Sequence, residues 1–145
     1  MNAELSVLRL NLLRLLYLML VVGTGFLGWS ELLASPERLD LSRGVVVSIL
    51  GAVSLLSILG LKYPLQMLPL LFWEIAWKTI WLLSIFLPLW RSGQASQGFL
   101  ENAVACSLVA LFYVVMPWSY VYRHYWKKTS ETWRRAATAA VRNVH

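Results

Sequence analysis

The chain of 145 residues is 59% hydrophobic and only 14% charged, and its formal net charge is +6. Because about a quarter of the residues of soluble domains are charged, this composition excludes an ordinary water-soluble domain and predicts a membrane protein of one domain. The single cysteine, Cys106, excludes an internal disulfide and a multi-cysteine metal site.

Four apolar segments long enough to cross a bilayer as helices follow one another along the chain. The predicted spans cover residues 10–33, 44–62, 65–90 and 101–122. Leucine-rich runs with scattered glycine and proline are typical of membrane helices, and the alternating pattern of barrel strands does not occur. The sequence therefore predicts an all-α integral membrane protein, in which residues 1–122 form a compact four-helix bundle.

The first span has one competing interpretation, a cleaved signal peptide. Arg9 and Arg14 precede an apolar stretch, as in the basic region of such a peptide. However, the stretch is long for a signal peptide, and Leu32 stands where a cleavage site needs a small residue. We therefore prefer the transmembrane interpretation.

Small residues share one face in each of the first two spans. They are Thr24, Gly25 and Gly28 in the first span and Gly44, Ser48, Gly51 and Ala52 in the second. Because lipid is as apolar as leucine, membrane helices associate through close backbone approach, which small residues permit. The pattern predicts tight contact between the first two spans.

The third span holds two charges, Glu74 and Lys78, in a stretch that is otherwise uncharged from Tyr63 to Trp90. A charge at the centre of a bilayer costs at least about 2.5–3.5 kcal/mol on insertion scales, so such residues are functional candidates. Glu74 precedes Lys78 by four positions, which is the favourable order for an ion pair on one helix face. The spacing therefore predicts a neutralised pair near the middle of the membrane.

Three tryptophans, Trp73, Trp77 and Trp81, surround this pair at intervals of four residues, too deep for an interfacial aromatic belt. Trp77 and Trp81 fall on the broad helix face that carries the charges. The i, i+3 spacing of Lys78 and Trp81 predicts a cation–π contact. Glu74, Lys78 and the three tryptophans form one candidate polar and aromatic site.

This candidate site has two interpretations. In the structural one, the neutralised pair fixes the helix register or an oligomer contact. In the functional one, it lines a cavity that binds a ligand or relays a proton. The internal lysine partner favours the structural interpretation slightly, because a paired carboxylate titrates less easily than a lone one.

Proline interrupts the fourth span at Pro117. A proline inside a helix removes the hydrogen bond to the carbonyl four residues earlier, here that of Tyr113. The sequence therefore predicts a bend near the membrane interface.

Positive charges lie before the first span, between the second and third, and after the fourth. They include Arg9, Arg14, Lys62, Arg123, Lys127, Lys128, Arg134, Arg135 and Arg142. The positive-inside rule then places both termini in the cytoplasm of a cell with a bacterial-type inner membrane.

Residues 123–145 form a basic cytoplasmic tail with two interleaved tryptophans. A helix that starts near Ser130 has alanines but a thin apolar face, which predicts a short interfacial helix. Its expected partners are anionic lipid headgroups rather than nucleic acid. The predicted headgroup-binding residues are Arg123, Lys127, Lys128, Arg134 and Arg135.

The order of four spans, with the segment Pro36–Leu39 (P-E-R-L) after the first, resembles small DoxX-type and related bacterial membrane proteins. The resemblance rests on layout and length, and it implies a four-helix membrane protein without assigning a role to any residue. Tryptophan-rich sensory proteins have five helices, and small multidrug antiporters carry their essential carboxylate in the first span, whose core at residues 15–30 has none here.

The sequence contains no nucleophile–base pair, metal-ligand cluster or phosphate-binding loop, so we expect neither an enzyme nor a cofactor or metal. The leading prediction is an accessory or structural membrane protein that binds another membrane protein, a second copy of itself, or lipid. The alternative is a small oligomeric transporter or channel that uses Glu74 and Lys78.

Overall fold

A computed structural model describes residues 6–34 and 36–128, and these residues contain helices and connections but no strand. Four helices are long and apolar enough to cross a membrane: α1 (Val7–Ala34), α2 (Leu41–Lys62), α3 (Leu68–Arg91) and α4 (Gln97–Val115). α3 includes a π-helical turn at Leu82–Phe86. A short helix, α5 (Trp118–Val121), follows and continues as a π-helical turn at Tyr122–Lys127. The prediction of an all-helical protein with four potential membrane spans is confirmed.

The first two helices form a hairpin with close backbone contact. Asp40 caps the start of α2, where its side chain accepts a hydrogen bond from the Arg43 amide at 3.2 Å. A Cβ atom added to Gly28 would lie 2.7 Å from the Gly51 amide nitrogen. A Cβ atom added to Gly25 would lie 2.7 Å from Ser54 Oγ. The predicted tight contact between the first two spans is therefore confirmed.

The contact face of α2 differs from the predicted one. Gly51 is buried as expected, but Ser48 and Ala52 are exposed and an added Cβ on Gly44 would meet nothing within 4 Å. The buried stripe of α2 instead consists of Val47, Gly51, Val53, Ser54, Ser57 and Gly60. At 3.6 residues per turn this stripe lies beside the predicted one and shares Gly51 with it. Small residues occur on both stripes, so their spacing alone could not select between them.

The two hairpins, α1–α2 and α3–α4, meet in a hydrophobic core. Its buried residues are Leu13, Leu16, Tyr17 and Leu20 of α1, Leu68, Leu71 and Ile75 of α3, and Val109, Phe112 and Met116 around the end of α4. All lie toward the end of the bundle from which α5 leaves, which we call the tail end. The Tyr17 hydroxyl donates a hydrogen bond to the Pro64 carbonyl at 3.0 Å, and this bond ties α1 to the α2–α3 connection.

The fourth helix ends at Val115, whereas the predicted span continued as a bent helix to residue 122. Met116 leaves the helical conformation with ψ 126°, and a new helix starts at Trp118. The Tyr113 carbonyl, which Pro117 cannot satisfy, accepts a hydrogen bond from Trp118 Nε1 at 2.8 Å. The indole therefore replaces the lost backbone donor and allows a complete break in place of a bend.

Candidate functional site

The charged pair on α3 forms inside the bundle. Lys78 Nζ lies 2.8 Å from Glu74 Oε2. The Glu74 side chain is fully buried, whereas the Lys78 side chain retains 13% of its exposure. The two side chains therefore differ in exposure: that of Glu74 is enclosed by protein, whereas that of Lys78 lines an open cavity.

The buried Glu74 carboxylate depends on Lys78 for its countercharge. Within the part of the chain that the structure describes, neither Glu74 oxygen accepts a hydrogen bond of regular geometry. A buried carboxylate without hydrogen-bond donors needs a nearby opposite charge to remain ionised. The Lys78 ammonium supplies that charge.

Two aromatic rings flank the Lys78 ammonium, and they are not the predicted ones. Nζ lies 5.5 Å from the Trp77 ring centroid and 5.2 Å from that of Phe112 on α4. The predicted contact with Trp81 is wrong, because the Lys78 ammonium is held by Glu74, one turn earlier on α3. Trp81 stacks instead on Phe86 and Phe99.

The three predicted tryptophans occupy different environments. Trp73 is 42% exposed on the outer surface of the bundle. Trp77 is partly buried, and its indole nitrogen donates no hydrogen bond to any residue that the structure describes. Trp77 and Trp81 line a cavity together with Lys78. Of the predicted site, Lys78, Trp77 and Trp81 thus line one cavity and Glu74 is paired with Lys78, whereas Trp73 contacts Trp77 from outside the cavity.

This cavity has a volume of about 560 Å³ and lies between the two hairpins. Leu20, Lys78 and Phe112 line it where it meets the core, so they form its floor. Other lining residues lie toward the opposite end of the bundle, which holds the α1–α2 and α3–α4 connections and which we call the loop end. Its apolar lining includes Met19, Leu27, Val46, Leu50, Leu108 and Ala105.

A second ion pair stands at the loop end of the cavity. Arg43 of α2 lines the cavity, and its Nε donates to Glu31 Oε2 at 2.8 Å while Nη2 contacts Glu31 Oε1. Neither residue belongs to the predicted site. The pair joins two helices across a turn, and no spacing rule would have identified it. Both cations that line the cavity are therefore paired with a carboxylate.

Three further polar residues line the cavity: Thr24, Asn102 and Cys106. The Thr24 hydroxyl donates to the Leu20 carbonyl at 2.6 Å, so its donor is already used. The polar groups are few and the remaining lining is apolar, which is the usual composition of a site for a small molecule with a long apolar part.

The predicted headgroup-binding residues lie only partly within the described chain. Arg123, Lys127 and Lys128 are exposed after α5. Tyr125 packs edge-on against Phe72, with 5.6 Å between ring centroids, and so holds this segment against α3. Arg134, Arg135 and the predicted interfacial helix lie outside the described residues.

Comparison of the chain with protein-family models, with curated proteins and with solved structures found no match. The resemblance to DoxX-type proteins therefore stays a prediction from layout. The geometry of the cavity carries the functional argument.

Proposed function

We propose that this chain is a non-catalytic accessory protein of a bacterial-type inner membrane that binds a lipid-like amphiphile in the cavity between its two hairpins. The observation that carries this proposal is the position of Lys78 on the floor of an otherwise largely apolar cavity of about 560 Å³. A long apolar chain fits the lining, and a polar head group with an acceptor atom fits the ammonium.

The access of Lys78 supports this functional interpretation over the purely structural one. A pair that served only to fix the helix register would need no cavity beside its ammonium group. Here Glu74 is sealed but Lys78 lines the cavity.

The proposal is tested with a neutral fluorescent amphiphile, dansylaminoundecanol. Trp77 and Trp81 line the cavity, so we expect saturable energy transfer from tryptophan to dansyl in dodecyl maltoside micelles. Gly23 also lines the cavity, and an added Cβ there would meet nothing within 4 Å. Gly23→Leu should therefore place a side chain inside the cavity without disturbing the packing, and it should weaken the saturable transfer.

Gly44→Leu is the matched control for this experiment. Gly44 is equally open to an added Cβ, but it does not line the cavity. The control should bind the probe as the parent does. Equal binding by Gly23→Leu would contradict the proposed site.

The second candidate function is a small oligomeric transporter or channel. The extent of the cavity supports this candidate. The cavity reaches from Arg43 at the loop end to Lys78 near the middle of α3, which is half of a path across the membrane. Flux of the bound amphiphile across liposomes that contain the protein would favour this candidate. Binding without flux would favour the accessory protein.

We further propose that the compact bundle places its tail end, and with it both termini, in the cytoplasm. Arg14 and Lys62 support this orientation because they line one pocket at the tail end. The exposed Arg123, Lys127 and Lys128 follow α5 at the same end of the bundle. There the exposed basic residues, with Arg134 and Arg135, would contact anionic headgroups.

A reporter fused after His145 should therefore be active in the cytoplasm, and one inserted in the connection at residues 92–96 should be active outside. Alkaline phosphatase and green fluorescent protein fusions report the two sides, because each is active on one side only. A periplasmic signal after His145 would overturn the orientation.

A further inference from the structure

We propose that the cavity also accepts anionic amphiphiles, and that each anion enters together with one proton, which Glu74 takes up from the aqueous phase. This inference rests on the proposed function, because it requires a ligand in the cavity. It adds a chemical class, acidic amphiphiles, and a coupling between their binding and pH.

The charges around the cavity support the coupling. Glu74 and Lys78 neutralise each other, and Arg43 is neutralised by Glu31 through two contacts. An anion that binds at the Lys78 ammonium therefore adds one uncompensated negative charge to a buried site. Such a charge is strongly unfavourable in a low-dielectric interior. Uptake of one proton restores neutrality.

Glu74 is the group that accepts this proton. When the anion takes the ammonium as its partner, Glu74 loses its countercharge, and its buried oxygens accept no other hydrogen bond within the described chain. Lys78 keeps its proton because the adjacent anion favours the charged form. As a carboxylic acid, Glu74 is neutral and its O–H becomes a hydrogen-bond donor.

The other ionisable groups in the adjoining core and around the cavity are poor proton acceptors. Cys106 of α4 and Tyr17 of α1 are neutral as thiol and phenol, and neither can gain a proton from that form. Glu31 on α1 lies at the loop end and keeps Arg43 of α2 as its partner when the anion binds at Lys78. The proposal therefore assigns the proton to one residue.

The test uses dansylaminoundecanesulfonate, because a sulfonate stays ionised and any dependence on pH then comes from the protein. The Kd of the sulfonate for the parent protein should rise about tenfold for each unit of pH, over the pH range in which the Glu74–Lys78 pair is intact. This slope is the one that uptake of one proton requires. Glu74→Gln imitates the protonated carboxyl and should remove this dependence. Glu101→Gln, a control at an exposed carboxylate that does not line the cavity, should keep it.

A direct measurement covers the case in which Glu74→Gln does not fold. Addition of the sulfonate to the parent in weak buffer should raise the pH by an amount equivalent to one proton for each bound probe. A Kd that does not change with pH, binding without proton uptake, or a pH dependence that survives in Glu74→Gln or disappears in Glu101→Gln would each overturn the proposal.

The neutral dansylaminoundecanol separates this inference from the proposed function. If the alcohol binds in a Gly23→Leu-sensitive manner and the sulfonate does not bind, the coupling is wrong and the cavity remains a site for neutral amphiphiles. If neither probe binds, the proposed function fails and the coupling fails with it.

Discussion

Replacement of Lys78 with methionine should lower the free energy of unfolding by about 3–5 kcal/mol, because it leaves a buried carboxylate without its countercharge. Glu74 is fully buried, and neither of its oxygens accepts a regular hydrogen bond within the described chain, so no other group there replaces the ammonium. Uptake of a proton by Glu74 would limit the loss. The folded variant would then hold more protons than the unfolded one, so its stability should fall as pH rises.

The double variant Glu74→Gln with Lys78→Met should recover most of this stability, because no charge then remains in the interior. The measurement is unfolding by SDS titration in dodecyl maltoside micelles, followed by tryptophan fluorescence, at several pH values. Equal stability of the parent, the single variant and the double variant would show that water already solvates the pair. In that case the pair lines an aqueous space, and Glu74 does not need Lys78 as its countercharge.

The same double variant separates the two interpretations of the pair. A structural pair can be replaced by neutral side chains without loss of function. A pair that binds amphiphiles cannot, because the methionine at residue 78 offers no donor to the head group. We expect a stable double variant with weakened binding of dansylaminoundecanol. Unchanged binding of dansylaminoundecanol would show that the pair has only a structural role.

The helices could be predicted from the sequence because a bilayer demands long uncharged segments, and four such segments are visible between the charged connections. The contact face of α2 could not, because small residues lie on two neighbouring stripes and the shape of α1 selects one of them. Tyr17 is part of that selection: a Cβ atom added to Gly60 would run into its ring. The break at Pro117 likewise depends on a tertiary detail, the indole of Trp118 bonded to the Tyr113 carbonyl.

The candidate site could be predicted as far as local spacing reaches. Glu74 and Lys78 are on the same helix, and their separation alone indicates the ion pair. The cavity was not predictable in this way, since four helices contribute its lining and Phe112 and Arg43 are distant from α3 in sequence. The i, i+3 spacing failed for Trp81 because Glu74 holds the Lys78 ammonium and the Trp81 ring stacks on Phe99 of α4, a contact that spacing along α3 does not show.

Gly28→Ala should have the second large effect, at the contact between α1 and α2. An added Cβ would lie 2.7 Å from the Gly51 amide nitrogen and 3.0 Å from the Val47 carbonyl oxygen. Both atoms belong to the backbone of α2, so no side chain can turn away and the helices must separate. Overpacking of this kind costs about 1–3 kcal/mol, and in lipid the lost backbone contact is a principal source of helix association.

Gly44→Ala is the matched control for Gly28→Ala. Alanine favours a helix over glycine by about 1 kcal/mol at either position, but an added Cβ on Gly44 meets nothing within 4 Å. The difference in unfolding free energy between the two variants therefore isolates the steric cost, and it should be about 1–3 kcal/mol. The SDS titration described above measures it. If both variants are stabilised equally, α1 and α2 do not approach each other at Gly28, and the hairpin must pack differently.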